Sequence, residues 1–380
     1  MLHGDPIVFW VLRLLLFAIL FFCGLNISKS KNKSVAFYIW IAIIAFALVE
    51  GLRWMRGTDY ENYYYIFKTG DCDKDEPLYL LFVKFVHSLG INTTVVFIFL
   101  SGLLMGGLGV IFKLRELRVA AIWGLPLIYL MLGYNAENLV RQYMAISFLG
   151  FAYYYYYLDK YKWMLLCLLI APFIHVSSLL GVALFLILLW KKIGLLNVWI
   201  FVGIYLAAYF LWNPEWLSNF ALALGALDVN DSSAMSVYLD HAEQHFTEEG
   251  SLSAMYGLDG RRSIINIVLY FFTDIAVIIT GYFACRKNQK FLMIYYFAFM
   301  GILCQIVFGD IQVLMRFGYY FSWMLPILIA IVAVYKDYGK YEILKYVVWL
   351  LLFARYAFYG VIHQIGKITM EEGCMFIWDK

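Results

Sequence analysis

Charged side chains are what this chain has least of: 14% of its 380 residues, beside 64% hydrophobic and 20% aromatic. Soluble domains carry about a quarter charged residues, so the deficit excludes an ordinary soluble fold and predicts an all-α polytopic membrane protein. Other absences narrow the chemistry. No Gly-rich phosphate loop or dinucleotide fingerprint occurs, so no soluble nucleotide-binding domain and no cofactor are expected. No Cys/His pattern has zinc spacing; His241 and His245, four apart, read first as part of a solvated acidic helix and only second as metal ligands. Internal repeats and low-complexity tracts are missing too. Of the few cysteines, Cys23, Cys167, Cys285 and Cys304 sit in apolar runs as small apolar residues, while Cys72 and Cys374 fall where a disulfide can form in an oxidising compartment. A signal peptide is not expected: Asp5 precedes the first apolar stretch and lysines follow it, so this stretch reads as a retained span with its N-terminus outside.

What is present is an alternation. Twelve apolar segments are expected to cross the membrane, at roughly 7–25, 35–52, 93–112, 119–134, 139–158, 163–175, 177–190, 195–211, 264–285, 291–308, 317–335 and 346–361. One set of links is short and basic (Lys29/Lys31/Lys33, Lys113/Arg115/Arg118, Lys160/Lys162, Lys191/Lys192, Arg286/Lys287/Lys290, Lys336/Lys340/Lys345) and belongs to the cytoplasm by the positive-inside rule. The opposite set is acidic and holds isolated arginines, so any substrate is expected there. The net charge of +3 is small and the acids lie opposite the bases, which argues against nucleic acid as a partner. Residues 1–380 read as a single integral membrane domain with long outer loops at about 53–92 and 212–262. Loops of that length in a tight bundle are functional or disordered. Within the first, Leu78–Leu89 reads as an interfacial helix on the outer leaflet.

The outer face supplies the candidate chemistry. Arg141 lies four residues after Glu137, at a helix start: the two form either a helix-start salt bridge or leave Arg141 as an anion clamp. Arg316 poses the same choice. A guanidinium at a helix end offers bidentate recognition of phosphate, and Arg53, Arg56, Arg141 and Arg316 facing one side suggest a shared anionic ligand or, alternatively, pairing with the outer acids. His175 is a candidate proton carrier or a structural hydrogen-bonding group. Asp59 and Glu76 are the acids expected to face a cavity or to pair with Arg56. Asp274 and Arg355, near mid-depth, are expected to pair with each other.

In their order these motifs resemble the EpsG-like branch of the bacterial O-antigen and exopolysaccharide polymerases, the Wzy-type enzymes. The matching residues are Arg53 and Arg56-Gly57-x-Asp59 with Tyr63, then Glu76-Pro77-Leu78-Tyr79. After them come Arg141-Gln142, Phe173-x-His175 with Ser177, and Arg316 followed by Tyr319-Tyr320-Phe321. The resemblance spans about 50–320 and implies a membrane glycosyltransferase of GT-C type. The implied enzyme moves a growing glycan from undecaprenyl pyrophosphate to a sugar hydroxyl of the next lipid-linked repeat unit, without a metal, on the outer face of the bacterial cytoplasmic membrane. The product would be lipopolysaccharide, capsule or exopolysaccharide. The resemblance assigns substrate binding to Arg141, Arg316, Arg56, Arg53, Glu76, Tyr63, Gln142 and Tyr320, with His175 or Asp59 as a weak base. Trp54, Tyr60, Tyr63 and Tyr64 are candidates for stacking on sugars. Lipid-linked oligosaccharides, the bilayer and a chain-length regulator protein are the implied partners. The rival readings are a transporter or flippase of lipid-linked oligosaccharide, and a glycan ligase with a different acceptor. One-sided polar residues and minimal cytoplasmic links favour the enzyme.

Overall fold

The computed structural model describes residues 5–30, 32–57, 59–73, 75–191, 194, 196–212, 216, 267–308, 312–339, 342–355 and 375–379. Among the described residues every long element is a helix. In order they are α1 (Pro6–Lys29), α2 (Asn32–Gly51), α3 (Tyr60–Thr69), α4 (Pro77–Ser88), α5 (Thr93–Gly109), α6 (Ala121–Asn138), α7 (Val140–Tyr157) and α8 (Tyr161–Ile174). Then follow α9 (Leu179–Lys191), α10 (Val198–Leu211), α11 (Phe272–Cys285), α12 (Gln289–Phe308), α13 (Gln312–Ser322), α14 (Leu325–Val334) and α15 (Glu342–Arg355). Among the described residues, five stretches are long and apolar enough to cross a membrane: Ile7–Lys29, Ser34–Gly51, Thr93–Lys113, Gln289–Phe308 and Leu314–Val334. Several shorter apolar helices accompany them, among them Tyr161–Ile174 and Val198–Leu211. The expected loop at 212–262 lies almost wholly outside the described residues, as do His241, His245 and Cys374.

The chain divides into two units. The first comprises Met1–Lys191, Pro326–Lys336 and Phe353–Lys380; the second comprises Lys192–Leu325 and Asp337–Leu352. In the first unit α1 packs on α2 and α6, α2 on α5, α5 on α7, and α7 on α8. Apolar side chains gain little by leaving lipid, so close backbone approach through small residues does much of the joining. At the α5–α7 crossing a Cβ added to Gly107 would stand 2.4 Å from the Ser147 carbonyl oxygen, and one on Gly150 would stand 2.5 Å from that of Gly107. In the second unit α10, α11 and α12 pack together and α13 lies on α12. There Asp274, buried on α11, accepts a hydrogen bond from the Tyr205 hydroxyl at 3.3 Å. The expected partner Arg355 has its side chain outside the described set.

The two ends of the first unit differ in chemistry. At one end Lys113 stands over the ring of Tyr154, and Arg118 donates to the Lys113 carbonyl, which places the basic link after α5 beside the far end of α7. At the other end the close of α2, the close of α6, the start of α7 and the close of α8 meet through side-chain contacts. The stretch after α2 is not an open loop: it folds into α3 and α4. Gly70, at φ +73°, caps α3, and Asn92 caps α5 by accepting from the Thr94 amide at 2.8 Å.

Candidate functional site

Two clusters of charge sit at this acidic end. In the first, Glu50 closes α2, and the chain then turns through Arg53 and Arg56. Gly57, at φ +98°, makes the turn that brings α3 back; a Cβ there would also meet Asn138 Oδ1 at 2.4 Å. Arg56 Nη2 lies 3.0 Å from Glu50 Oε2 and 2.9 Å from Glu137 Oε1. Arg13 of α1 reaches Glu137 Oε1 at 3.4 Å, and Arg53 Nη2 donates to the Glu137 carbonyl at 3.0 Å. Aromatic faces cover the cations: Phe97 under Arg53, Phe9 under Arg13 and Arg56, and Phe376 over Arg56. Phe376 arrives with Met375–Ile377, which pairs antiparallel with 52–54: the Trp54 amide donates to the Met375 carbonyl at 3.0 Å and the Ile377 amide to the Leu52 carbonyl at 2.9 Å. Glu50, Arg53, Arg56 and Glu137 are all buried. A cavity of about 20 Å³ beside them, lined in part by Glu50, Arg53, Ser101 and Tyr143, has room for a single water.

The second cluster is half-buried rather than sealed. Arg141, one residue into α7, pairs with Glu76 at 2.8 Å, and the other Glu76 oxygen lies 4.0 Å from His175 Nδ1. Glu76 immediately precedes Pro77, which starts α4; its extended backbone turns the side chain towards α7. His175 follows the last turn of α8 in extended conformation, at φ −153°, and a tight turn over Val176–Ser178 leads into α9. Arg141 also hydrogen-bonds the hydroxyl of Tyr63 on α3, and its guanidinium stands over the ring of Tyr79 at 5.5 Å. Burial pushes the Tyr63 phenol upward, so it stays neutral and serves Arg141 as an acceptor. The Tyr79 hydroxyl is buried with no hydrogen-bond partner among the described residues. Side-chain exposures of 18% for Arg141, 15% for Glu76 and 22% for His175 leave all three reachable, whereas Arg56 and Glu137 at 6% and 2% are sealed.

One pairing differs from the sequence expectation. Glu137 and Arg141 are not partners, because the helix breaks between them: Leu139, at φ −103° and ψ 50°, separates α6 from α7, so the i,i+4 geometry does not exist. Each finds another partner, Glu137 taking Arg56 and Arg141 taking Glu76. Asp59 stands half-buried before α3 and near Tyr63, with no capping hydrogen bond from its side chain. Gln142 is buried on α7 beside Arg141. Tyr60 is almost fully buried, stacked on Phe97 at 5.0 Å and against Trp54 and Tyr64, so its faces are taken by neighbouring rings. Arg316, half-buried on α13, and Tyr320, fully buried, belong to the second unit. Cys72 is free.

Sequence reasoning missed Glu50, Arg13 and Phe376. The first two carried a signal: an ionisable residue inside or at the end of an apolar span calls for a named partner. Glu50 lies three and six residues before two arginines. Phe376 carried none.

No curated protein and no solved structure matches the chain. A family model does. The EpsG family matches residues 36–371, a stretch holding Glu50, Arg53, Arg56, Glu76, Glu137, Arg141, His175 and Arg316, and the chain belongs to that family.

Proposed function

We propose that this membrane protein is a polysaccharide polymerase that transfers a growing glycan from a lipid diphosphate, undecaprenyl pyrophosphate, to a hydroxyl of a lipid-linked repeat unit. Family membership supports a polysaccharide polymerase of the membrane. The observation that carries the site is Arg141: oriented by Glu76 and Tyr63, beside His175, and still partly exposed. In the reaction the bond between the anomeric carbon and the diphosphate oxygen breaks, and the acceptor hydroxyl oxygen bonds that carbon. The hydroxyl proton passes to His175 or to Asp59, and the diphosphate leaves as the anion. Charge grows on the leaving oxygen, so a preorganised guanidinium is the group the step needs most. Arg141 supplies it, with Gln142 beside it and Arg53 and Arg56 in support. No metal is required in this scheme because guanidinium groups provide the positive charge. Twelve spans, GT-C architecture and a site facing away from the cytoplasm complete the reading, the last resting on the basic links at the opposite end.

Purified protein reconstituted with lipid-linked repeat units tests it. Lengthened glycans with stoichiometric release of lipid diphosphate are expected. Movement of the lipid across the bilayer without lengthening would replace this reading with a flippase, and transfer to an unrelated acceptor would replace it with a ligase.

A further inference from the structure

A carboxylate 2.8 Å from the Arg141 guanidinium cancels its charge and repels any second anion that approaches. Turning Arg141 toward a substrate would leave Glu76 Oε2, half-buried, without that donor, and a carboxylate so placed is costly. The side chain positioned to meet the need is Tyr79. Glu76 stands immediately before α4 and its carboxylate caps nothing, so Tyr79, three residues on, shares one face of the helix start with it. Helix side chains lean toward the N-terminus, which carries the Tyr79 ring back toward Glu76, and its phenol feels the charges of both Arg141 and Glu76. Tyr79 is fully buried: Arg141 stands over its ring at 5.5 Å, and Phe67 meets it edge to face at 6.4 Å. Its hydroxyl nevertheless has no hydrogen-bond partner among the described residues. Phenylalanine would offer Arg141 the same face without stranding a polar group, so the hydroxyl is idle in the resting arrangement. Burial keeps the phenol neutral, and therefore a donor.

We propose that Tyr79 is a positioning residue for Arg141: its hydroxyl takes the place of Arg141 on Glu76 when the guanidinium turns to a diphosphate-type anion. With the site empty, Glu76 holds Arg141 and the Tyr79 hydroxyl waits without an acceptor. With the anion bound, Arg141 faces it and Tyr79 donates to the carboxylate left behind. The other Glu76 oxygen stays on the side of His175 throughout. The exchange gives Glu76 a neutral donor in place of a charged one, which frees the guanidinium charge for the ligand. It rests on reading Arg141 as the ligand of the anion.

The test titrates full-length protein in nanodiscs with inorganic pyrophosphate and with lipid diphosphate. Tyr79→Phe should weaken binding about tenfold, the scale of one hydrogen bond to a charged group, while its melting temperature holds or rises. In a Glu76→Ala background the same change should alter affinity no further, because no carboxylate is left to receive the hydroxyl. A merely structural tyrosine would give equal losses in both backgrounds, and that result overturns the exchange. Unchanged affinity in Tyr79→Phe alone overturns it too, as does a lowered melting temperature, which would mean that the hydroxyl already has a partner at rest. A loss seen with both probes assigns recognition to the diphosphate group; a loss confined to the lipid probe assigns it to the lipid-borne form. Failure of both probes to bind the unaltered protein removes the exchange together with Arg141 as an anion ligand. Tyr79-dependent binding in protein that never lengthens glycans would instead remove only the polymerase reading and leave the exchange standing.

Discussion

Two ion pairs a few residues apart in sequence answer to different physics. Arg56 with Glu50 and Glu137 is buried, so removing one member leaves a charge in low dielectric, at a cost of about 3–5 kcal/mol. Arg56→Ala or Glu137→Ala should lower the melting temperature of the detergent-solubilised protein by many degrees; an unchanged melting curve would mean that the cluster is hydrated rather than sealed. Arg141 with Glu76 is partly exposed, so its contribution to stability lies between that of surface pairs, about 0–1 kcal/mol, and that of sealed ones. Arg141→Ala should therefore lower the melt less than Arg56→Ala while lowering glycan lengthening by at least about 100-fold, the scale on which one transition-state donor acts. Arg141→Lys should recover little, since the planar fork that holds Glu76 and Tyr63 is lost. Long polymer made by either variant would take Arg141 out of the reaction.

Among the elements, what the sequence made legible was hydrophobic length. The apolar run over Leu78–Leu89 emerges as α4, the run at 7–25 falls within α1, and those at 35–52 and 93–112 overlap α2 and α5, overshooting their ends by one and three residues. What stayed illegible was anything set by a break or by a distant partner. Leu139 is an ordinary helix residue by propensity, yet its conformation separates Glu137 from Arg141 and sends each to a different cluster. Glu76 finds Arg141 across 65 residues, and no local spacing marks such a pair. The helix crossings are likewise written in single small residues. Replacing Gly150 by leucine would drive a side chain into the Gly107 carbonyl, and overpacking of this kind costs about 1–3 kcal/mol or more where backbone must move. Gly150→Leu should lower the thermal stability accordingly, whereas leucine at Gly203, where a Cβ meets nothing within 4 Å, should not. Equal melting of the two variants would show that α5 and α7 are not held by their contact at Gly107.

At the scale of the whole molecule, sidedness decides which face can meet a substrate. The positive-inside pattern assigns the basic links to the cytoplasm. In the first unit that pattern agrees with the contacts: the acidic side chains and their arginines gather at one end, while Lys113 and Arg118 lie at the end where α7 finishes. A lipid diphosphate whose glycan is built outside the cell requires Arg141 and His175 to open to the exterior. Single cysteines settle the direction. Ser88 at the end of α4 and Lys162 at the start of α8 are both exposed, and they belong to opposite ends of the unit. With Cys72 replaced by serine, Ser88→Cys in intact cells should react with an impermeant thiol reagent, and Lys162→Cys should react only after the membrane is permeabilised. The reverse result would turn the second cluster toward the cytoplasm, where the proposed lipid-linked glycan is absent. The acceptor chemistry would then have to be sought on the other face of the bundle.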